Sequence, residues 1–292
     1  MLKKFTYAEH WFFKDPGFRF HIGTSVITQS VFEQHRHQFA ELAVILGGSS
    51  LHRVDNETYS IGQGDIFVIN TRTSHGFSKM KNLRICNIMY DPAQFLAPFP
   101  ELTQLPGYHA LFRLEPVYRR QDQFRSRLHL IGPALDEVEA LVTLLTNEQE
   151  AKGAGHRTAI RTRFIELVLL LCRRYSSVRT DASRRLLRLG NVTAYLETKY
   201  MEPIRVPDLA AMAHLSVNQF LRVFKKLYQK TPTEYLLKVR ILKAGELLRR
   251  SAMSITDIGF EVGFTDSNYF SRVFRREMGT TPRGFRKNNT TN

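Results

Sequence analysis

Three imidazoles and a carboxylate are the first residues in this chain whose types and spacing could do chemistry: His35, His37, Glu41 and His75. On a strand, residues two apart point to one face, so His35 and His37 share a side, and Glu41 joins them if the strand continues. Such a set can ligate zinc, nickel, iron or manganese. The same side chains could instead bind a small polar effector directly, with no cofactor required, or simply hydrogen-bond one another at a polar mouth. Arg53, Arg72 and Tyr59 are further candidates for effector contact.

A second chemistry, base recognition, lies in Ile204–Lys287. The stretch 206–235 repeats as 255–285. Phe220, Arg222, Val223 and Phe224 answer Phe270, Arg272, Val273 and Phe274, and Thr231-Pro232 answers Thr281-Pro282. In each copy a short helix comes after a turn. In the first, Ser216 caps a helix over Val217–Leu227, whose Phe220, Val223, Phe224 and Leu227 form a buried stripe at helical spacing. Asn218, Gln219, Leu221, Arg222 and Lys225 are left facing outward. In the second copy, Gly263-Phe264 marks the turn and Thr265 or Asp266 the cap. Phe270, Val273, Phe274 and Met278 are buried, leaving Asp266, Ser267, Asn268, Tyr269, Ser271 and Arg272 for DNA. Arginine can bond guanine bidentately and asparagine adenine, which makes these faces fit a major groove. A long helix over Thr233–Arg250 joins the two readers, which would meet successive turns of one DNA face, about 34 Å apart.

The elements that must position these groups differ along the chain. The first hundred residues read as short strands: Phe20–Ser25, Glu41–Leu46, Ser50–Val54, Thr58–Ser60, Asp65–Ile69 and Arg84–Tyr90. Gly47-Gly48, Asp55-Asn56 and Gly62–Gly64 supply turns, a pattern of jelly-rolls and small barrels. Trp11, Phe12 and Phe13 read as packing residues, and Pro92–Pro116 as an irregular connector. From Asp122 the period becomes helical, with a loop over Asn147–Gly155 and a second helix from Ile160 through Leu171 that is apolar nearly all round. That helix needs burial on more than one side, by the β module or by a second chain, so this region is the expected homodimer interface. Cys172 reads as a small buried residue. Ser176–Ser183 is the linker candidate, and Arg188–Tyr200 the first helix of the C-terminal domain.

The formal charge of +15 favours a polyanionic partner. It is concentrated in residues 184–287, with 20 Lys/Arg against nine Asp/Glu, whereas residues 1–100 carry ten against eight. The chain has two cysteines, which excludes a disulfide framework. No signal peptide and no run of membrane-spanning length is visible, so the expectation is a cytoplasmic protein with no membrane partner.

These motifs carry two resemblances. Residues 186–287 resemble the AraC/XylS family of bacterial transcription regulators, through Ala244, Leu247-Leu248, Ile255–Ile258, Gly263-Phe264, Asp266, Phe270–Arg272, Phe274-Arg275, Gly279, Thr281-Pro282 and Arg286. Gly259 departs from that pattern, which prefers alanine. Within the family the chain looks closest to sugar-responsive members such as the L-rhamnose regulators. By that resemblance Asn218, Arg222, Asp266 and Asn268 are the base-reading positions. Residues 20–90 resemble the cupin pattern, with HRHQFAE as HxHxxxE and the stretch from Gly62 to His75 as the second element, though the usual proline-glycine pair is missing.

The resulting expectation is a two-domain α+β fold. Its parts are a cupin-like jelly-roll effector domain with connector over 1–120, a helical dimerisation region over 121–176 and a linker over 177–185. A double helix-turn-helix over 186–287 and a disordered tail over 288–292 complete it. The expected function is an activator, not an enzyme. A monosaccharide would control it, and its partners would be double-stranded promoter DNA and RNA polymerase. The competing readings are a metal-dependent cupin enzyme carrying a DNA-binding tail, and a ligand-independent DNA-binding protein.

Overall fold

The computed structural model describes residues 5–6, 12–27, 31–71, 73–119 and 123–289. Trp11, Arg72 and residues 290–292 of the expected tail lie outside them. The chain divides into two units, Met1–Gly190 and Asn191–Asn292.

The first unit is built on two long strands, β4 (Ala40–Val54) and β7 (His75–Tyr90), paired antiparallel. β1 (Phe5–Thr6), β2 (Phe20–Ile27) and β3 (Val31–Arg36) lie on the β7 side. β5 (Glu57–Gly62), β6 (Asp65–Ile69) and β8 (Leu128–His129) lie on the β4 side. Gly47-Gly48, expected as a turn, instead lies within β4, where the register with β7 shifts repeatedly between Ile45 and Leu51. Gly48 sits at φ 70, and a Cβ there would fall 2.2 Å from the Asn82 carbonyl oxygen. Only glycine permits both the dihedral and the approach. These bulges bend the ribbon, so β2 and β6 pair with one half of it and β3 and β5 with the other.

The closed cupin jelly-roll expected here is not formed. The sheet is open, in the order β1-β3-β7-β4-β6-β8, with β2 on β7 and β5 on β4 as branches. Side chains rather than further strands meet its edges. Gln149 accepts from the Ile22 amide and donates to the Ile22 carbonyl, each at 2.8 Å, and so completes the edge of β2. Arg119 donates to the Val68 carbonyl on β6 at 2.6 Å. These contacts satisfy the backbone groups of Ile22 and the Val68 carbonyl without a further strand. The inner face carries Ala43, Ile45, Tyr59, Ile61, Phe67, Ile69, Phe77, Leu83 and Ile85, and Phe124 from the turn before β8 packs into them.

The proline-rich connector folds as short turns: α1 (Pro92–Phe95), α2 (Pro106–Tyr108) and α3 (Glu115–Tyr118), with a π-helical stretch at His109–Leu114. The helix expected from Asp122 begins later, at Pro133, because Leu128–His129 pairs with β6. α4 (Pro133–Ala151) and α5 (His156–Ser176) come next. α5 buries Phe164, Leu167, Val168, Leu171 and Cys172, with Phe164 against Tyr90 and Phe20 of the sheet. Phe13 packs edge-on against Phe39, 5.2 Å between centroids. α6 (Asp181–Thr198) already begins within the segment read as a linker.

The second unit repeats one local design. α7 (Val206–Met212) and α8 (Val217–Tyr228) form the first helix-turn-helix, α10 (Ile255–Glu261) and α11 (Ser267–Met278) the second. α9 (Pro232–Arg250) joins them and α12 (Pro282–Asn289) comes last. Phe220 and Phe224, and likewise Phe270 and Phe274, are fully buried. Gly259 has a packing reason: a Cβ there would meet the Phe270 ring at 3.0 Å.

Candidate functional site

The histidine cluster assembles from both ends of the sheet's bend. His35, next to last in β3, lies opposite His75, the first residue of β7, while His37 lies in the turn before β4 and Glu41 within β4. All four are buried. His37 donates from Nδ1 to the Phe39 carbonyl at 2.7 Å and stacks on the Phe39 ring. That bond uses Nδ1 as a donor and leaves Nε2 to face the rest of the cluster. His37 Nε2 lies 3.1 Å from His75 Nε2 and 3.2 Å from Glu41 Oε2, and His75 Nε2 lies 3.8 Å from the same oxygen. His35 donates from Nδ1 to the Glu33 carbonyl, which orients it in the same way.

One ligand atom from each of His35, His37 and His75 fits within a 4.8 Å span. Glu41 Oε1 and His75 Nδ1 are buried with no hydrogen-bond partner. Burial is the main influence lowering the His35 and His75 pKa values, so both rings favour the neutral, ligating form. The set therefore offers converging lone pairs to a cation or to the hydroxyls of a polar molecule. Arg53 does not join it, since on β4 it alternates with the inward-facing His52 and so falls on the opposite face. Tyr59 lies in the apolar core beside Phe124.

Two features of this interior were not read from the sequence. Arg119 and Glu115 form a buried ion pair at 2.6 Å, with Arg119 over the Phe124 ring. His52 is fully buried between Phe67 and Phe77. Its alternation with Val54 on one strand was the available signal.

The candidate DNA-reading side chains lie at the surface of α8 and α11. Asn218, Arg222, Lys225, Asn268, Tyr269 and Arg272 are exposed, while Leu221, Ser267 and Ser271 are half-buried. Two of the polar candidates are engaged locally. Gln219 Oε1 accepts from the amide and hydroxyl of Ser216, closing a capping box on α8. Asp266 accepts from the Tyr269 amide and caps α11. Arg272 stacks over Tyr269, 5.8 Å from its centroid. Both faces thus present exposed Asn and Arg side chains on capped, core-anchored helices.

A buried polar cluster in one unit and paired helix-turn-helix readers in the other define a ligand-binding transcription regulator. Residues 209–288 match a helix-turn-helix domain family, and residues 23–168 match the AraC-like ligand binding domain. The chain is 32% identical over 268 residues to the HTH-type transcriptional activator RhaS of Klebsiella pneumoniae (strain 342), covering 89% of this chain and 90% of that protein. It is 30% identical over 265 residues to RhaS of Escherichia coli O1:K1 / APEC, at the same coverage. A crystal structure of the DNA-binding domain of AdpA with a target DNA aligns over 35% of this chain at 31% identity and a TM-score of 0.34.

The chain belongs to the AraC/XylS-type family of helix-turn-helix regulators, related to the RhaS-like activators. It is a sequence-specific DNA-binding regulator with a ligand-binding accessory domain, and it is not an enzyme. Among the described residues, no helix is long and apolar enough to cross a membrane.

Proposed function

We propose that this chain is a cytoplasmic transcription activator controlled by a small polar effector of the monosaccharide class. The effector binds at His35, His37, Glu41 and His75. The activator sense is supported by the relatives, which are named as transcriptional activators. The observation that carries the effector reading is the convergence of His37, His75 and Glu41 within 3.1–3.8 Å in a buried site. Imidazoles and one carboxylate can between them both donate to and accept from sugar hydroxyls.

Asn218, Arg222, Asn268 and Arg272 read bases in promoter DNA, and Lys225 meets phosphate. The protein acts as a homodimer through residues 121–176, where Leu144 of α4 is exposed, and contacts RNA polymerase beside the promoter. The effector works by binding one conformational state of the chain better than another. Footprinting of promoter DNA with and without a panel of sugars tests the proposal: protection that one sugar changes supports it, and identical protection across the panel refutes it.

The Nδ1 hydrogen bonds of His35 and His37 favour a second reading of the same cluster, a divalent metal held by His35, His37, His75 and Glu41. Such an ion would supply a positive centre for oxygen ligands. Metal analysis of the purified protein tests it. Stoichiometric zinc, nickel, iron or manganese that is lost in His37→Ala supports the metal, and a metal-free protein that still binds effector excludes it.

A further inference from the structure

His52 lies on the inner face of β4, opposite Phe77 in register and two positions from Val54, which is opposite His75. His52 and His75 are therefore diagonal neighbours on one face, with ring centroids 6.0 Å apart. Phe67 and Phe77 stack on the His52 ring at 4.8 and 4.9 Å. Neither His52 nitrogen has a hydrogen-bond partner, and the side chain is fully buried. A phenyl ring would satisfy the same sandwich without two unpaired polar atoms, whose burial opposes folding. Keeping an imidazole there costs free energy unless its nitrogens meet a polar group when the site is filled.

We infer that His52 is a further effector-contacting residue, which takes a hydroxyl of an uncharged polyhydroxylated ligand anchored at His37, Glu41 and His75. This rests on the effector reading of that cluster and adds a residue to it. An imidazole with one protonated and one bare nitrogen can donate to one hydroxyl and accept from another. The strongest neighbouring cation, Arg119, is already engaged by both Glu115 oxygens and the Val68 carbonyl. The one carboxylate among the anchoring residues, Glu41, repels an anion. Neutral sugars therefore fit, and sugar acids and sugar phosphates do not.

The experiment is a thermal-shift and titration series on the full chain with neutral aldohexoses and 6-deoxyhexoses, each beside its uronic acid or phosphate where one exists. His52→Phe keeps the stack and removes both nitrogens; His52→Gln returns a donor and acceptor. The expected result is a His52→Phe protein that melts no lower than the wild type but binds the responding neutral sugar at least about tenfold more weakly, with part of the affinity restored in His52→Gln. Unchanged sugar affinity in a folded His52→Phe protein overturns the role of His52. Binding of a uronic acid or phosphate as tight as that of its neutral parent overturns the ligand class. A wild-type protein shifted by none of these compounds overturns the effector reading as well. If His52→Phe fails to fold, His52→Gln decides alone through its sugar affinity, which must fall for the inference to stand.

Discussion

Arg119→Met should be among the most destabilising single changes in the N-terminal unit. Arg119 is 2% exposed, and Glu115 is fully buried beneath it. Nε donates to one Glu115 oxygen at 3.0 Å and Nη2 to the other at 2.6 Å, while Nη2 also caps the Val68 carbonyl. Removing the guanidinium strands a buried carboxylate, which typically costs about 3–5 kcal/mol. It also leaves the Val68 carbonyl unpaired, at about 1–3 kcal/mol. Glu115→Leu should cost about 3–5 kcal/mol for the converse reason, a stranded cation. The double variant, Glu115→Leu with Arg119→Met, removes both charges and retains mainly the Val68 deficit, so it should lose only about 1–3 kcal/mol. Urea unfolding of the full chain, monitored by far-ultraviolet circular dichroism, measures this cycle. A loss below about 1 kcal/mol for Arg119→Met, or additive losses in the double variant, would refute the reasoning that this pair and its edge contact hold the open sheet together.

Three further outcomes are expected. Asp266→Ala should lose about 0.5–2 kcal/mol of stability through the missing cap and weaken binding equally on all DNA sequences; a change of base preference would make Asp266 a reader instead. Arg222→Ala should lose about 1–3 kcal/mol against the preferred base only, whereas Lys225→Ala should reduce the salt slope on every sequence. Competitive binding across operator variants and salt concentrations separates the two. His109, held neutral by burial with its pKa lowered to about 4, donates to the Thr103 carbonyl. The unfolded chain binds its proton near pH 6.5 and the folded chain only near 4, so stability should fall as pH drops through that window, by up to about 3 kcal/mol. Thermal melts from pH 7 to 4 should show the slope shrink in His109→Gln, and an unchanged slope would rule out His109 as its source.

The features legible in the sequence are those set by local spacing. The phenylalanine stripes of α8 and α11 lie within single helices, and both pairs are buried as the repeat implied. His35, His37, Glu41 and His75 do meet, but not along one alternating strand: β3 ends at Arg36, His37 lies in the turn that follows, Glu41 is on β4, and the pairing of His35 with His75 brings the set together. Sheet closure was not legible, because it turns on which strands pair across long stretches of sequence, as β2 does with β7. No periodicity carries information of that range. Nor could the base-reading set be separated from the caps. Asn, Asp, Gln and Ser are favoured both for bonding bases and for bonding the free amides of a first turn. Once Gln219 and Asp266 have met those amides, the two readers become chemically more alike. Each offers an asparagine near the start of its helix and an arginine one turn on: Asn218 with Arg222, and Asn268 with Arg272. That equivalence implies that the two helices differ less in the bases they can bond than in their neighbours, Leu221 and Lys225 against Ser271 and Arg275. Specificity between half-sites should therefore track those neighbours, and exchanging Leu221 with Ser271 should move base preference more than exchanging the asparagines, which are already the same.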